Sequence, residues 1–112
     1  MKYLLMTLAL LGSINAHAVK FGCIFTDITG DGGFGGGNID VDVKLNEETK
    51  VLKFVSGNHV SLLTDGQEVL LTIKTSRGYI ETASTIDKDA KIGIIDGEIQ
   101  NNITCRAEKG ND

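Results

Sequence analysis

The chain has 112 residues, with 11 basic and 15 acidic side chains and a formal net charge of −4 at pH 7. This length allows one small domain, and the acidic balance excludes a protein that holds nucleic acid through a basic surface. Hydrophobic residues make up 41% and charged residues 23% of the chain, a balance typical of a folded chain rather than a disordered one.

The first 18 residues have the pattern of a bacterial secretory signal peptide. Lys2 supplies a positive charge, residues 4–11 read LLMTLALL, and Ala16 and Ala18 place small residues at the −3 and −1 positions of a cleavage site. The apolar run is too short to span a bilayer. We therefore expect residues 1–18 to be removed and residues 19–112 to form one exported domain, periplasmic or extracellular, without a transmembrane segment.

The only two cysteines are Cys23 and Cys105. In an oxidising compartment they have one possible pairing. Each has apolar residues two positions away on both sides, which places both cysteines on buried faces of strands. A redox pair usually has Cys-x-x-Cys spacing. Two cysteines with His59, the one histidine beyond residue 18, do not fill a structural zinc site. We therefore predict a structural disulfide.

The rest of the chain alternates between apolar and polar residues, and turn signals interrupt the alternation at short intervals. The sequence predicts strands over residues 19–28, 39–45, 50–56, 59–64, 67–75, 79–84, 91–95 and 98–107. Asp65-Gly66 and Asp96-Gly97 are typical of hairpin turns. Strands with one polar face must pack on a second sheet or close on themselves. We predict an all-β fold of seven or eight antiparallel strands, a small β-sandwich with a closed β-barrel as the alternative.

Residues 30–37 read GDGGFGGG, and we predict a loop here because six glycines make an ordered conformation costly. The functional interpretation is a partner-binding loop. In this interpretation Phe34, which lies between Gly33 and Gly35, makes an apolar contact with the partner, and Asp31 lies nearby in the loop. The alternative is a flexible connection in which Phe34 folds back onto the core.

A calcium site is a second interpretation of the same segment. Asp27, Thr29 and Asp31 fall at positions 1, 3 and 5 of an EF-hand-like loop. Position 12 is Asn38 instead of the bidentate glutamate, and the flanking segments read as strands instead of helices. The match is partial, so we expect neither a bound metal nor a cofactor.

Two further groups of polar residues have chemical interpretations. His59 and Ser61 share one face of a predicted strand, and Asp65 is a candidate orienting carboxylate for a hydrolase. No nucleophile-elbow sequence surrounds Ser61, so we expect His59 to be a solvated histidine at the start of the strand. Asp40 and Asp42 also share a face and suggest cation binding or glycoside chemistry, but we expect a solvated outer face.

Together these features predict an exported, non-catalytic domain that binds another protein or envelope component. The binding would be inhibitor-like and would use the glycine-rich loop around Phe34. One alternative is a structural or self-assembling envelope component that joins through strand edges. A third hypothesis is a small hydrolase that uses His59.

Overall fold

A computed structural model describes residues 18–30 and 33–108. These residues form eight strands and no helix: β1 (Ala18–Ile28), β2 (Phe34–Lys44), β3 (Thr49–Lys53), β4 (His59–Thr64), β5 (Glu68–Thr75), β6 (Gly78–Thr85), β7 (Ala90–Asp96) and β8 (Ile99–Ala107). The predicted signal peptide lies outside the described residues, apart from Ala18.

The strands form two four-stranded antiparallel sheets. Sheet A has the order β2-β1-β8-β7, and sheet B has the order β3-β4-β5-β6. The chain crosses between the sheets after β2 and again after β6. Because the described strands form two separate sheets that pack face to face, the predicted sandwich is confirmed and the barrel alternative is wrong.

The core lies between the two sheets and follows the alternation of the sequence. On β4, Val60 and Leu62 are fully buried, and on β5, Leu71 and Ile73 are fully buried. Side chains of this size each contribute about 1.5–3 kcal/mol when they leave water. Sheet A contributes its own inner face, including Phe21, and one hydrophobic cluster joins the two sheets.

The predicted disulfide is confirmed. Cys23 and Cys105 are direct cross-strand partners on β1 and β8, and their Cα atoms lie 4.1 Å apart. Both side chains are buried in the core. The bridge therefore joins the first and last strands within sheet A instead of joining the two sheets.

The Asp65-Gly66 turn between β4 and β5 is also confirmed. Asp65 Oδ1 accepts hydrogen bonds from the backbone amides of Gln67 (2.8 Å) and Glu68 (2.9 Å). These two bonds favour the charged carboxylate and hold the pKa of Asp65 below its ordinary value. Gly66 has φ +95°, a left-handed conformation that glycine adopts without strain.

The main departure from the predicted elements lies in the glycine-rich segment. Residues 34–37 belong to β2, so the predicted loop is shorter than expected and the predicted strand start at residue 39 is wrong. β1 extends to Ile28 and pairs in continuous register with this segment, from Ile28 opposite Phe34 to Phe25 opposite Gly37. A neighbouring strand thus overrides the poor intrinsic strand preference of glycine.

Candidate functional site

The two ends of the sandwich differ in their connections. The turns after β1, β3, β5 and β7 close hairpins and lie at one end, which we call the hairpin end. The opposite end carries the β4–β5 hairpin, the two connections that cross between the sheets, the start of β1 and the end of β8. An ion pair between Arg77 Nη2 in the β5–β6 turn and Asp96 Oδ2 at the end of β7, at 3.4 Å, links two of the hairpin turns across the sheets.

A row of side chains crosses the outer face of sheet A at the hairpin end. Phe34 on β2 lies opposite Ile28 on β1, Ile28 lies opposite Gln100 on β8, and Gln100 lies opposite Ile95 on β7. Directly opposed residues project from the same face of a sheet. Phe34 and Ile95, at the two edges of the row, are 74% and 72% exposed.

The β3–β4 turn, residues 54–58, adds a third exposed apolar side chain. Val55 is 83% exposed, although its neighbour Phe54 is buried in the core. The Phe54 ring meets the Phe25 ring edge to face, with centroids 6.3 Å apart. Within the turn, Phe54 N donates to the Asn58 carbonyl and Gly57 N donates to the Phe54 carbonyl, both at 2.8 Å. The turn is therefore fixed on the core and holds Val55 outward.

A buried polar network attaches the same turn to sheet A. Asp27 on β1 accepts from Val55 N at Oδ2 and from Asn101 Nδ2 at Oδ1, both at 2.8 Å. Asn101 Oδ1 in turn accepts from Asn58 Nδ2 (2.8 Å) and from Ser56 Oγ (3.2 Å). Asn101 is fully buried and Asp27 is 6% exposed. Buried polar groups whose hydrogen bonds are all satisfied favour a single conformation of the chain around them. The network therefore fixes the position of the β3–β4 turn relative to sheet A.

We call Phe34, Val55 and Ile95 the apolar tip. Among the described residues, six large hydrophobic side chains are exposed. The apolar tip supplies three of them, and Tyr79 and Ile80, which follow the β5–β6 turn, lie at the same end. Ile24 is the sixth and lies in the middle of sheet A. Exposed apolar side chains are thus concentrated at the hairpin end.

The predicted partner-binding residues are only partly described. Phe34 begins β2 and is exposed, Gly35 follows it in the strand, and the Gly33 carbonyl accepts a hydrogen bond from Thr29 N at 2.9 Å. Asp31 lies outside the described residues. The sequence analysis proposed Phe34 as a contact residue and did not propose Val55 or Ile95, which the fold brings to the same end from other hairpins.

Of the three candidate calcium ligands, the structure describes Asp27 and Thr29. Asp27 directs both carboxylate oxygens toward Val55 N and Asn101 Nδ2 inside the sandwich. Asp31 is not described, so the calcium site stays a prediction. Residues 18–30 and 33–108 contain no group of three or more His, Cys, Asp or Glu side chains that could hold a metal ion.

Of the three residues in the hydrolase hypothesis, Asp65 lies away from His59 and Ser61. His59 and Ser61 lie on the outer face of β4, opposite Lys74 and Thr72 of β5. His59 Nδ1 is buried and has no hydrogen-bond partner in the part of the chain that the structure describes. Asp65 follows the other end of β4, and its Oδ1 accepts from two amides of the β4–β5 turn. It therefore does not orient His59.

Asp40 and Asp42 lie on the exposed outer face of β2, as expected for a solvated strand face. Asp40 faces Gly22 across the β1–β2 pair, and Arg106 faces Gly22 on the other side. Arg106 Nε donates to Asp89 Oδ1 at 2.6 Å. This contact lowers the pKa of Asp89 and raises the pKa of Arg106. Gly22, Asp89 and Arg106 line a shallow groove. The Arg106 guanidinium in this groove therefore already has an anionic partner.

Comparison of the chain with protein-family models, with curated proteins and with solved structures found no match. In the described part of the chain, no helix has the length and apolar character needed to cross a membrane.

Proposed function

We propose that this chain is an exported, non-catalytic binding domain that holds another protein of the cell envelope or its surroundings through the hairpin end. The observation that carries the proposal is the apolar tip: Phe34, Val55 and Ile95 are each more than 70% exposed at one end of the sandwich. Isolated surface hydrophobic residues are ordinary, but their concentration in one region is typical of interaction sites.

The support beneath these side chains favours binding over a passive surface. Phe34 and Ile95 stand on strands of sheet A, and Val55 stands on a turn that Phe54 and the Asp27–Asn101 network hold in place. Contacts on a rigid scaffold lose little conformational entropy when a partner docks. In protein interfaces a few well-packed side chains contribute most of the binding free energy.

Site-specific photo-crosslinking tests the proposal. A photoreactive amino acid at position 34 or 55 is expected to form a discrete covalent adduct with one protein in intact cells. Ile24 is the matched control position, because it is 63% exposed on the same sheet but lies away from the hairpin end. The same adduct should weaken when Ile95 is replaced by serine in the crosslinking chain.

Adducts from positions 34 and 55 that name the same protein, with no such adduct from position 24, would support the proposal. Equal labelling from all three positions would indicate random collisions and refute it. Absence of any adduct from the two tip positions would also refute it.

A further inference from the structure

Strand β6, Gly78–Thr85, has one open edge. In the described part of the chain it pairs only with β5 and forms the margin of sheet B. All of its eight residues except Gly78 carry a side chain, and every residue of the strand is exposed or half-buried. An uncovered strand edge presents unpaired backbone donors and acceptors to any strand that can align with it.

The β5–β6 register defines which backbone groups face outward. Ile86 N donates to the Gln67 carbonyl at 2.8 Å, immediately beyond the Glu68–Thr85 pair. Hydrogen-bonded and non-hydrogen-bonded pairs alternate along an antiparallel ladder. Even-numbered residues of β6 therefore bond to β5, and the amides and carbonyls of Tyr79, Glu81 and Ala83 point away from the sheet.

The other three edge strands carry features that obstruct pairing. β3 has only five residues, two lysines and an irregular register between Lys50 and Leu52. β2 carries Asp40, Asp42 and a run of glycines, and β7 has a lysine near its start and an aspartate at its end. Short length, irregularity and charge are common protections of strand edges. β6 has one charged residue, Glu81, and no proline.

We propose that β6 pairs antiparallel with β6 of a second copy of this chain. The two-fold axis passes beside Thr82, which faces its own counterpart, so Glu81 lies opposite Ala83 and Tyr79 lies opposite Thr85 of the other copy. Glu81 and Ala83 both have outward backbone groups, and they exchange hydrogen bonds with their counterparts twice by symmetry. The two copies of sheet B become one continuous eight-stranded sheet.

Charge favours this register over the one whose two-fold axis lies at Glu81. Shifting the axis by one residue to Glu81 places two carboxylates directly opposite each other, which destabilises a strand pair. The axis at Thr82 instead places each carboxylate opposite an alanine. Threonine pairs across antiparallel strands are favourable. This interface does not use Phe34, Val55 or Ile95, so it is independent of the proposed partner-binding function.

Sedimentation equilibrium of the oxidised chain, purified after expression of the full sequence, tests the pairing. A single edge-to-edge contact buries little surface, so we expect reversible dimers between about 0.01 and 1 mM. Ala83→Glu places like charges opposite each other at two symmetric positions and should weaken dimerisation about tenfold, whereas Ala83→Lys should strengthen it by a similar factor. The double variant Glu81→Lys/Ala83→Glu should restore dimerisation.

Ala83→Pro removes an outward amide without removing a bond to β5, so this variant should stay monomeric while its circular dichroism remains that of the native fold. Ala83→Ser is its matched control, because it keeps the amide and should dimerise like the native chain. A native chain that is monomeric at every concentration would overturn the proposal. Equal effects of Ala83→Glu and Ala83→Lys would overturn it as well, because the register would then be wrong.

Discussion

Replacement of Asn101 by alanine should be among the most destabilising single changes in this chain. Asn101 is fully buried on β8, and its side chain connects β1 to the β3–β4 turn. Alanine would remove three bonds between elements and leave one carboxylate oxygen of Asp27 and the side-chain amide of Asn58 without their partners. Because Asp27 is only 6% exposed, its carboxylate oxygen would not recover full hydration, so the effect should exceed that of a lost surface contact.

The magnitude follows from the individual bonds. The 2.8 Å bond to the Asp27 carboxylate is of the kind that contributes about 1.5–3 kcal/mol, and the 2.8 Å bond from Asn58 contributes about 1 kcal/mol. The longer bond from Ser56 adds less. We expect the free energy of unfolding to fall by about 3–4 kcal/mol, a large share of the 5–15 kcal/mol typical of a domain.

Urea denaturation of the oxidised protein measures this difference, and the next residue supplies the control. Asn102 lies on the opposite, solvent-exposed face of β8, and its one hydrogen bond to another side chain, to Thr26 Oγ1, is 3.4 Å long. Asn102→Ala should therefore cost about 0.5 kcal/mol or less. If the two variants differ by less than about 1 kcal/mol, the buried network contributes little to the stability of the fold, which would contradict the expected loss.

Three further outcomes follow from the fold. Reduction of the Cys23–Cys105 disulfide, which closes a separation of 82 residues, should lower the free energy of unfolding by about 4 kcal/mol in urea titrations with and without reductant. Gly36→Ala should cost about 1–3 kcal/mol in the same assay, because its Cβ would lie 2.8 Å from a β1 carbonyl oxygen, whereas Gly35→Ala, with 3.9 Å to the nearest atom, should be nearly neutral. The folded-state pKa of the Asp65 carboxyl lies below its unfolded value. The difference in unfolding free energy between the native chain and Asp65→Ala should therefore be constant above about pH 5 and should shrink as the pH falls below about 4. A difference that grows on acidification would contradict a lowered pKa for Asp65.

Strand positions in this chain were largely predictable because their alternation coincides with burial. The predicted strand over residues 59–64 matches β4 at both ends, and the last strand differs by one residue. The disulfide was predictable because a single pair of cysteines has one connectivity. These features depend on local pattern or on elimination, so they do not require knowledge of which strands meet.

The site was less predictable because it depends on which turns meet. The sequence offered Asp27 only as a candidate calcium ligand and did not predict its hydrogen bonds to Val55 and Asn101, which lie far away in the sequence. A local signal did exist: Asp27 has the same strand parity as Phe21 and Cys23, which predicts an inward side chain. A polar residue on an inner face needs a partner, but the sequence alone does not say that Asn101 is that partner.

The disulfide also determines how this domain responds to pulling. Cys23 lies near the start of β1 and Cys105 near the end of β8, and the two strands are antiparallel neighbours. A tensile load applied at the first residues of β1 and at the end of β8 passes through the covalent bridge and bypasses everything between the two cysteines. Only the residues before Cys23 and after Cys105 can peel apart. In the described part of the chain these include the Phe21–Ala107 and Gly22–Arg106 pairs and the hydrogen bond from Glu108 N to the Lys20 carbonyl (2.7 Å). While oxidised, the domain is thus a nearly inextensible link between two tethers, and reduction converts it into a long extensible one.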